Sequence, residues 1–490
     1  MSDSGTARAA PTDRFDLVLT GGTVLTMDDP RTKLDPGAVG VVGNRIAAVG
    51  SPDELSGVPA GRTVDCRGAV VAPGLVDCHT HLFQSLARGR GDGLGLWPWL
   101  QEVMWPYGAA MNRAEAEVAA TFGAVLAVRS GTTALLDHHN SPNDLETTLA
   151  VAEAIEAVGV RGVVARTIRG PRPSLGATVG LRAGLGRSFE EEVEITEACL
   201  EARGPGRRVA IWPAPANPIH VGQRMFVRAV ELAREHGTGW HTHCSEASTD
   251  PEMYLEAHGL RPVEWLAKEG LLGPDATLAH AIWLDDGEIE RVGETRSGVS
   301  YNPASNAYLG AGVMRLRELR SAGARVGLGT DGLAVAGPTV LRCMEHAVLQ
   351  QRQRSLDPAA SGAEEALELA TRGGARYLGI DAGVVAAGTL ADLAVFDLGR
   401  LHLRPVGDVT AAMVYAVEAS DVTMTIVGGR IVYEGGRCVS VDEDALLAEV
   451  DARAEALARR AGLVSAPARH RTTREAGGDE GGTDGGPGEC

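Results

Sequence analysis

Two histidines, His79 and His81, stand at the end of a short apolar run that begins at Val70 and passes through Pro73 and Gly74. Residues two apart on a β-strand point to the same face, so both imidazoles would face one point in space. Two imidazoles that share a direction suit a metal ion better than a packed core. The pattern therefore predicts a metal site at the end of a strand.

Two further groups of imidazole and carboxylate residues follow apolar runs downstream. The first holds His241, His243 and Glu246, and the second is the Thr330-Asp331 pair. The His-x-x-Glu spacing favours His243 over His241 as a metal ligand, and His241 remains the alternative. Ligands that come from several strand ends indicate a site at one end of a barrel.

Strand-like and helix-like segments alternate through the middle of the chain. The strand candidates are residues 70–77, 132–137, 161–166, 209–214, 239–244, 276–280, 298–301 and 325–331. Helical periodicity is visible at residues 114–129, 190–202, 222–236 and 313–322. Eight alternating strands predict an α/β fold with a (β/α)8 TIM-like barrel.

Apolar and polar residues alternate at both chain ends, a pattern typical of short antiparallel strands. It predicts one small β-sandwich built from the two ends. The predicted organisation is a sandwich at residues 15–69 and 384–440, a catalytic barrel at 70–383 and a C-terminal helix at 441–463. Residues 1–14 and 464–490 are poor in apolar side chains and are expected to be disordered.

Composition narrows the class of function. The chain has 490 residues and a formal net charge of -18, which argues against nucleic acid or an anionic membrane as a partner. No segment approaches the roughly 20 apolar residues of a membrane span. The seven cysteines contain no C-x-x-C pair, which argues against a disulfide framework and a thiolate zinc site. We expect a cytoplasmic protein that acts on a small molecule.

The polar residues at the predicted strand ends form a set of motifs. They are residues 73–81, 131–133 with 137–139, 243–246, 279–280, 302–306 and 329–332. Together they resemble the amidohydrolase superfamily over about residues 15–440. The chain looks most similar to the branch that holds guanine, 8-oxoguanine and S-adenosylhomocysteine deaminases and the triazine hydrolases. Homo-oligomerisation is a further expectation from this resemblance.

The resemblance implies a metal site and three catalytic roles. The implied metal ligands are His79, His81, His243 and Asp331. Zn²⁺ is the first choice and Fe²⁺ the alternative, and the metal would lower the pKa of a bound water. Asp331 would take a proton from that water, and Glu246 would donate one to a ring nitrogen of the substrate. His280 would stabilise the tetrahedral species.

One metal ion is expected rather than two. Binuclear relatives bridge two metals with a carboxylated lysine at the end of strand four. The corresponding segment, residues 209–214, has no lysine, and neither Lys33 nor Lys268 lies at a predicted strand end.

Several residues are candidates for contact with the substrate. They are Gln84, His138, His139, Arg166, Arg261 and Asn302. Trp97, Trp99, Trp105 and Tyr107 form an aromatic cluster that either stacks on a flat heterocycle or packs a lid. His220 has no strand-end placement and is expected to be an ordinary surface or core residue.

The leading interpretation is a metal-dependent deaminase that removes an exocyclic amino group from a nitrogen heterocycle, such as 8-oxoguanine, guanine, a pterin or an aminotriazine. One alternative is hydrolysis of another C–N or a C–Cl bond, as in a triazine alkylamine, a chloride or a cyclic amide. The other is a catalytically silent barrel that acts as a binding protein.

Overall fold

The computed structural model describes residues 13–181, 186–334 and 339–463. In chain order the strands are β1 (Phe15–Leu25), β2 (Lys33–Val42), β3 (Arg45–Gly50), β4 (Ala60–Asp65), β5 (Ala69–Pro73), β6 (Leu75–His81), β7 (Thr132–His139), β8 (Arg161–Ile168), β9 (Val209–Pro215), β10 (Trp240–Cys244), β11 (Ala276–His280), β12 (Gly298–Tyr301), β13 (Arg325–Leu328), β14 (Asp331–Gly332), β15 (Leu393–Asp397), β16 (Val422–Val427), β17 (Arg430–Glu434) and β18 (Arg437–Cys438).

The α-helices fill most of the connections between strands. They are α1 (Pro52–Ser56), α2 (Leu96–Trp99), α3 (Trp105–Ala110), α4 (Arg113–Arg129), α5 (Leu145–Val158), α6 (Ser174–Thr178), α7 (Phe189–Ala202), α8 (Gln223–Glu235), α9 (Asp250–His258), α10 (Pro262–Lys268), α11 (Asp286–Glu294), α12 (Pro303–Tyr308), α13 (Leu316–Ala322), α14 (Val340–Ser355), α15 (Ala363–Glu368), α16 (Gly374–Leu378), α17 (Val409–Tyr415) and α18 (Glu443–Arg460).

Two all-parallel sheets occupy the middle of the chain. One has the order β14-β6-β7-β8-β9 and the other the order β10-β11-β12-β13. Strand β14 follows β13 closely in the chain and pairs with β6, so it brings the end of the second sheet to the edge of the first. The chain is therefore an α/β protein, and β-strands occur within a few residues of all eight predicted ranges, although 70–77 and 325–331 are each divided between two strands.

Both chain ends contribute to a third sheet of nine strands, here called the terminal sheet. Its order is β18-β17-β16-β15-β5-β1-β2-β3, with β4 paired to β1. Strand β5 pairs antiparallel with β15, which joins the N-terminal strands to the C-terminal ones. Alternating apolar residues such as Leu17, Leu19, Leu393 and Val395 pack together on this sheet.

The apolar run at residues 70–77 forms two strands, and the prediction of a single barrel strand there is wrong. Strand β5 belongs to the terminal sheet and β6 to a parallel sheet, and Gly74 lies between them. A Cβ atom at Gly74 would lie 2.2 Å from the side chain of Thr133. Because β5 and β6 are both buried, their apolar composition gives no sign of the change of sheet.

Helix α5 illustrates how local sequence fixes an element. The side chain of Asp144 accepts a hydrogen bond from the backbone N–H of Thr147 and caps the N-terminus. Gly159 ends the helix with a φ of 103°, a left-handed conformation that glycine adopts readily. Val151 and Ile155, four residues apart, are buried on one face. The caps therefore set the length of the helix that covers this side of the sheet.

Helix α18 corresponds to the C-terminal helix predicted at residues 441–463. Arg460 near its end forms a hydrogen bond with Glu115 of α4. The predicted disordered ends, residues 1–14 and 464–490, lie outside the described residues except for Asp13 and Arg14. Among the helices that are described, none has the length and apolar character needed to cross a membrane.

Candidate active site

The carboxyl ends of the parallel strands bring the predicted imidazoles and carboxylates together. His81 Nε2 lies 3.2 Å from His243 Nε2 and 3.3 Å from Asp331 Oδ1. His79 Nε2 lies 3.2 Å from the same carboxylate oxygen. These residues come from β6, β10 and β14, which are remote in sequence. The structure therefore brings these four side chains together from three different strands.

The backbone fixes which nitrogen each imidazole turns towards the centre. His81 Nδ1 lies 2.7 Å from the carbonyl oxygen of His138, and His243 Nδ1 lies 2.9 Å from that of Ala216. A carbonyl only accepts, so both Nδ1 atoms carry the proton and donate it. Each Nε2 atom therefore presents a lone pair to the centre, as a metal ligand must.

His79 is oriented by His241 rather than by a carbonyl. His79 Nδ1 lies 2.9 Å from His241 Nε2, and His241 Nδ1 lies 3.0 Å from Thr277 Oγ1. The Thr277 hydroxyl donates to the carbonyl oxygen of Trp240, so its oxygen accepts from His241 Nδ1. It follows that His241 Nε2 accepts from His79 Nδ1. Since both ring nitrogens of His241 are engaged, His243 and not His241 faces the centre.

The donor set fits a divalent metal ion. Tetrahedral Zn²⁺ with Zn–N distances of about 2.0 Å places neighbouring ligand atoms about 3.3 Å apart, close to the separations observed. One donor atom from each of His79, His243, His280 and Asp331 lies within 4.8 Å of the others. His79 Nε2 is buried and has no hydrogen-bond partner in the described part of the chain. Three neutral imidazoles with one carboxylate are a common zinc ligand set.

The pKa values of two buried carboxyl groups at the centre, Glu246 and Asp331, are shifted in opposite directions. Burial raises the pKa of Glu246 well above its ordinary value, and the negative charges of Asp331 and Asp250 add to the shift. Burial would also raise the pKa of Asp331, but the neighbouring His280 and His79 lower it well below its ordinary value. The arrangement therefore favours a protonated Glu246 beside an ionised Asp331.

His280 lies beside the carboxyl groups of Glu246 and Asp331. Its Nδ1 donates to the side-chain oxygen of Asn306 at 2.9 Å, and its Nε2 lies 3.5 Å from Glu246 Oε2 and 3.7 Å from Asp331 Oδ2. His280 and Asp331 have φ values of 71° and 61°, which are strained for residues with a side chain. Such strain is common where a fold holds functional side chains in place.

A cavity of about 380 Å³ opens onto this centre. Its wall contains His81, His243, Glu246 and Asp331. Two of the three predicted catalytic groups, Glu246 and Asp331, therefore face this space, whereas His280 is not among the described residues of the wall. The aromatic cluster contributes Trp97, Trp99 and Trp105, while Tyr107 is buried and donates its hydroxyl to the carbonyl of Phe83. Volume and lining are typical of a site for a small, flat molecule.

Of the six residues predicted to contact the substrate, Gln84 lines the cavity. Its Oε1 atom is buried and has no hydrogen-bond partner among the described residues. Asn302 is fully buried behind His280, with its amide nitrogen 3.5 Å from His280 Nε2. Asn302 therefore supports the side chain of His280 instead of lining the cavity.

The histidine pair at the end of β7, His138 and His139, also lies outside the cavity wall. His138 is buried against His243, with the two ring centroids 4.4 Å apart. His139 Nε2 donates to the carbonyl oxygen of Pro142 at 2.6 Å. Neighbouring residues on a strand point to opposite faces, so His138 packs against His243 while His139 packs against the loop that contains Pro142.

The structure does not bring the two predicted arginines to the cavity. Arg166 is fully buried, and its guanidinium contacts Glu192 at 2.7 Å and Thr196 at 2.9 Å, both on α7. Arg261 forms ion pairs with Asp285 and Glu288. Because β8 continues to Ile168, Arg166 lies inside the strand and faces the helix layer.

The cavity residues that the sequence argument missed include Arg169, Asn217 and His220. All three follow parallel strands, Arg169 after β8 and the other two after β9. Burial lowers the pKa of His220 to about 3, and its ring contacts Trp97 and Trp105 edge-on. The general rule that active-site residues follow barrel strands could have found them if the strand ends had been placed correctly.

Curated relatives match nearly the whole chain. A 5-methylthioadenosine/S-adenosylhomocysteine deaminase of Syntrophobacter fumaroxidans is 35% identical over 446 residues, which is 89% of this chain and 97% of the relative. A 5'-deoxyadenosine deaminase of Methanothermobacter thermautotrophicus is 33% identical over 446 residues, covering 91% and 99%.

Solved structures with the same fold contain zinc. An adenosine deaminase from Xanthomonas campestris with bound zinc has a TM-score of 0.83 at 26% identity, and the match covers 92% of this chain and 100% of that one. An atrazine chlorohydrolase from Arthrobacter aurescens complexed with zinc has a TM-score of 0.82 at 25% identity, covering 89% and 100%.

The parallel sheets and their imidazole-rich centre define a metal-dependent hydrolase. The chain belongs to the amidohydrolase family, whose sequence model matches residues 70–432. Within it the chain falls in the metal-dependent deaminase branch, which hydrolyses C–N bonds other than peptide bonds. Its cofactor is a divalent metal ion, and zinc fits both the donor set and the neighbouring structures.

Proposed function

We propose that this protein is a hydrolytic deaminase that replaces the exocyclic amino group of a purine-like heterocycle by oxygen, with one divalent metal held by His79, His81, His243 and Asp331. The observation that carries the proposal is the convergence of free Nε2 atoms and two carboxyl groups on one cavity. The similarity to adenosine-type deaminases makes aminopurines and their nucleosides the first substrates to test, before pterins and aminotriazines.

The two parallel sheets belong, in this proposal, to one closed (β/α)8 barrel, and the terminal sheet to a β-sandwich beside it. The pairing of β14 with β6 supports closure on one side. On the other side, the backbone N–H of His243 on β10 donates to the carbonyl oxygen of Ala216, just after β9, at 3.3 Å. In a barrel all the strand ends face one opening, which suits a shared active site.

Held by His79, His81, His243 and Asp331, a divalent metal ion would make a water acidic enough to react near neutral pH. Asp331 accepts a proton from the attacking water, and Glu246 donates a proton to the ring nitrogen beside the carbon under attack. His280, whose Nδ1 donates to Asn306, turns its unprotonated Nε2 towards the reacting oxygen and accepts a hydrogen bond from the attacking water. Water adds to the carbon, and Asp331 then passes the proton it took to the amino group. As the C–N bond breaks and ammonia leaves, the added hydroxyl group becomes a carbonyl and returns its proton to Glu246.

Substitution Glu246→Gln tests the assigned proton donor. We expect the metal content to remain near that of the wild type, since Glu246 is not among the proposed ligands, while kcat falls by about 10² or more. Elemental analysis and ammonia release measure the two quantities. The matched control is Glu256→Gln on the exposed face of α9, which should retain full activity. Turnover at the wild-type rate in Glu246→Gln would contradict the role.

The first experiment combines metal analysis with a screen for ammonia release. Substrates for the screen are 5'-methylthioadenosine, S-adenosylhomocysteine, 5'-deoxyadenosine, adenosine, guanine, 8-oxoguanine, pterin and an aminotriazine. About one metal ion per chain with ammonia from one compound supports the proposal. Consumption of a compound without ammonia would indicate another leaving group, and a protein that binds no metal would favour the silent binding protein.

A further inference from the structure

A second cavity lies at the opposite end of the parallel strands from the metal centre. It has a volume of about 490 Å³ and opens beside the amino ends of β12 and β13. Arg296 comes just before β12 and Arg325 begins β13, whereas Asp331 of the metal centre lies beyond the carboxyl end of β13. The space is called the amino-end cavity below, and its wall includes Arg296, Arg320, Arg325, Glu368 and Arg376.

Positive charge dominates the amino-end cavity, on a chain whose formal net charge is -18. Among the described residues, its wall carries four guanidinium groups and one carboxylate, that of Glu368. Glu368 lies 2.7 Å from Arg31, which is outside the described wall, and 3.2 Å from Arg320. Arg320 also contacts Glu365 at 2.9 Å. The carboxylates on α15 therefore neutralise Arg31 and Arg320.

The other three arginines of the wall are not neutralised in this way. In the part of the chain that the structure describes, no carboxylate lies within 4 Å of the guanidinium nitrogens of Arg296, Arg325 or Arg376. Burial and the charge of Arg296 lower the pKa of Arg325. Burial and the charge of Arg372 lower the pKa of Arg376. Cations are thus crowded together here without balancing anions.

The half-buried side chain of Arg325 holds the other two cations in place. Its Nε donates to the carbonyl oxygen of Arg296 at 2.7 Å, and its Nη1 donates to that of Arg376 at 2.8 Å. Its Nη2 donates to the carbonyl oxygen of Pro274 at 2.6 Å. Carbonyl oxygens satisfy N–H groups but carry no net charge, so the charge of Arg325 stays uncompensated. The backbone segments of Arg296 and Arg376 are therefore fixed next to each other.

Two unusual backbone conformations border the same cavity. Arg296 has a φ of 54°, a left-handed conformation that is strained for a residue with a side chain. Residues Leu369–Gly373 form a π-helical turn, and both Leu369 and Gly373 line the cavity. Turns of this kind are rare and are frequent at functional sites. Together with the crowded cations, they favour a binding role for the cavity over a purely structural one.

We propose that the amino-end cavity binds a phosphate group, either free phosphate or the phosphate of a small ester, between Arg296 and Arg376 with Arg325 behind them. Guanidinium groups suit this oxyanion because each presents paired N–H donors to its oxygens. A dianion would also neutralise the charge that the described residues leave unbalanced. Because the site lies away from the metal centre, its ligand is a second ligand of the protein and not the substrate of the proposed reaction.

Phosphate binding to the zinc-loaded full-length protein tests the site. Titration calorimetry at constant ionic strength measures Kd for two probes, inorganic phosphate and ribose 5-phosphate, neither of which carries a heterocycle that could be deaminated. We expect at least one probe to bind with a Kd of about 1 mM or tighter. Tighter binding of inorganic phosphate would indicate the free anion, and tighter binding of ribose 5-phosphate would indicate an ester. Either result supports the site.

The double variant Arg296→Gln/Arg376→Gln should bind that probe at least about 10-fold more weakly, because two charge-assisted donors are lost. Arg325 is kept, since its bonds to backbone carbonyls support the fold. The matched control is Arg317→Gln/Arg430→Gln, which removes the same charge from two exposed arginines outside the described wall. It should keep Kd within about twofold. Circular dichroism and zinc content verify the fold of each variant.

Three results would overturn the proposal. The first is no binding of either probe. The second is an unchanged Kd in Arg296→Gln/Arg376→Gln, which would place the phosphate elsewhere, for example at the zinc centre. The third is an equal loss in the control variant, which would indicate general attraction by charge. None of these measurements depends on ammonia release, so failure of the phosphate site and failure of the proposed deaminase function are distinguishable.

Discussion

At the scale of single residues, the metal centre depends on a buried histidine that does not face it. His241 accepts from His79 Nδ1 at 2.9 Å and donates to Thr277 Oγ1 at 3.0 Å. This chain of hydrogen bonds fixes the proton of His79 on Nδ1 and leaves Nε2 free. The His-x-His pattern on β10 thus contains one residue that faces the metal position and one that orients another strand's imidazole.

Substitution His241→Leu should weaken Zn²⁺ binding by about 10- to 100-fold, because His79 loses the acceptor that fixes its tautomer. Competition with a chelator of known affinity measures this on protein whose fold is checked by circular dichroism. Thr277→Val should weaken binding in the same direction, and Thr277→Ser, which keeps the hydroxyl, should restore it. Unchanged zinc affinity in His241→Leu would show that His79 is oriented by its packing alone.

At the scale of elements, the short strand β14 places Asp331, and a carboxylate on β6 holds the segment that leads into it. Asp77 Oδ1 accepts from the backbone N–H of Thr330 at 3.0 Å, and Oδ2 accepts from its hydroxyl at 2.6 Å. Burial raises the pKa of Asp77 to about 7 despite these bonds. A two-residue strand has little pairing of its own, so this contact fixes its register against β6.

Substitution Thr330→Val should lower the free energy of unfolding by about 1–3 kcal/mol, because a buried oxygen of Asp77 loses its hydroxyl donor. Urea denaturation of the metal-loaded protein measures the difference. Thr330→Ser retains the donor and serves as the control. Equal stability of the valine and serine variants would show that the hydroxyl contributes nothing to the placement of β14.

Residue spacing is enough to predict the strands and the central histidines, but not the walls of the cavity. His79 and His81 are two apart on one strand, so their common direction follows from geometry. Arg166 and Arg169 are three apart, and which of them reaches the cavity depends on where β8 ends. Strand ends are the least certain part of a sequence interpretation. For the same reason, the sequence does not show that the apolar run changes from one sheet to another at Gly74.

At the scale of the whole molecule, one buried ion pair joins the terminal sheet to a parallel sheet. Arg161 at the start of β8 donates to Asp392, just before β15, at 2.9 Å. The Asp392 side chain is 1% exposed and also accepts from the backbone N–H of Gly428 at 2.6 Å. The backbone carbonyl of Asp392 accepts from Gly74 N–H, at the change of sheet. The pair therefore lies where the two parts of the molecule meet.

Substitution Arg161→Met should reduce the free energy of unfolding by about 3 kcal/mol, because it leaves the Asp392 charge buried without its partner. The control is Arg45→Met, which breaks the exposed pair of Arg45 with Asp381 and should change stability by less than about 1 kcal/mol. Chemical denaturation compares both with the wild type. Similar small losses in the two variants would mean that the buried pair does not join the two parts.

The pairing of β5 with β15 has a consequence for synthesis of the chain on the ribosome. Leu393 is made about 320 residues after Pro73, which takes roughly 15–60 s at elongation rates of about 5–20 residues per second. During that interval the β5 edge of the N-terminal strands lacks its neighbour, and an apolar unpaired edge is a known route to aggregation. Nascent chains that stall before β15 should therefore be strong clients of ribosome-associated chaperones.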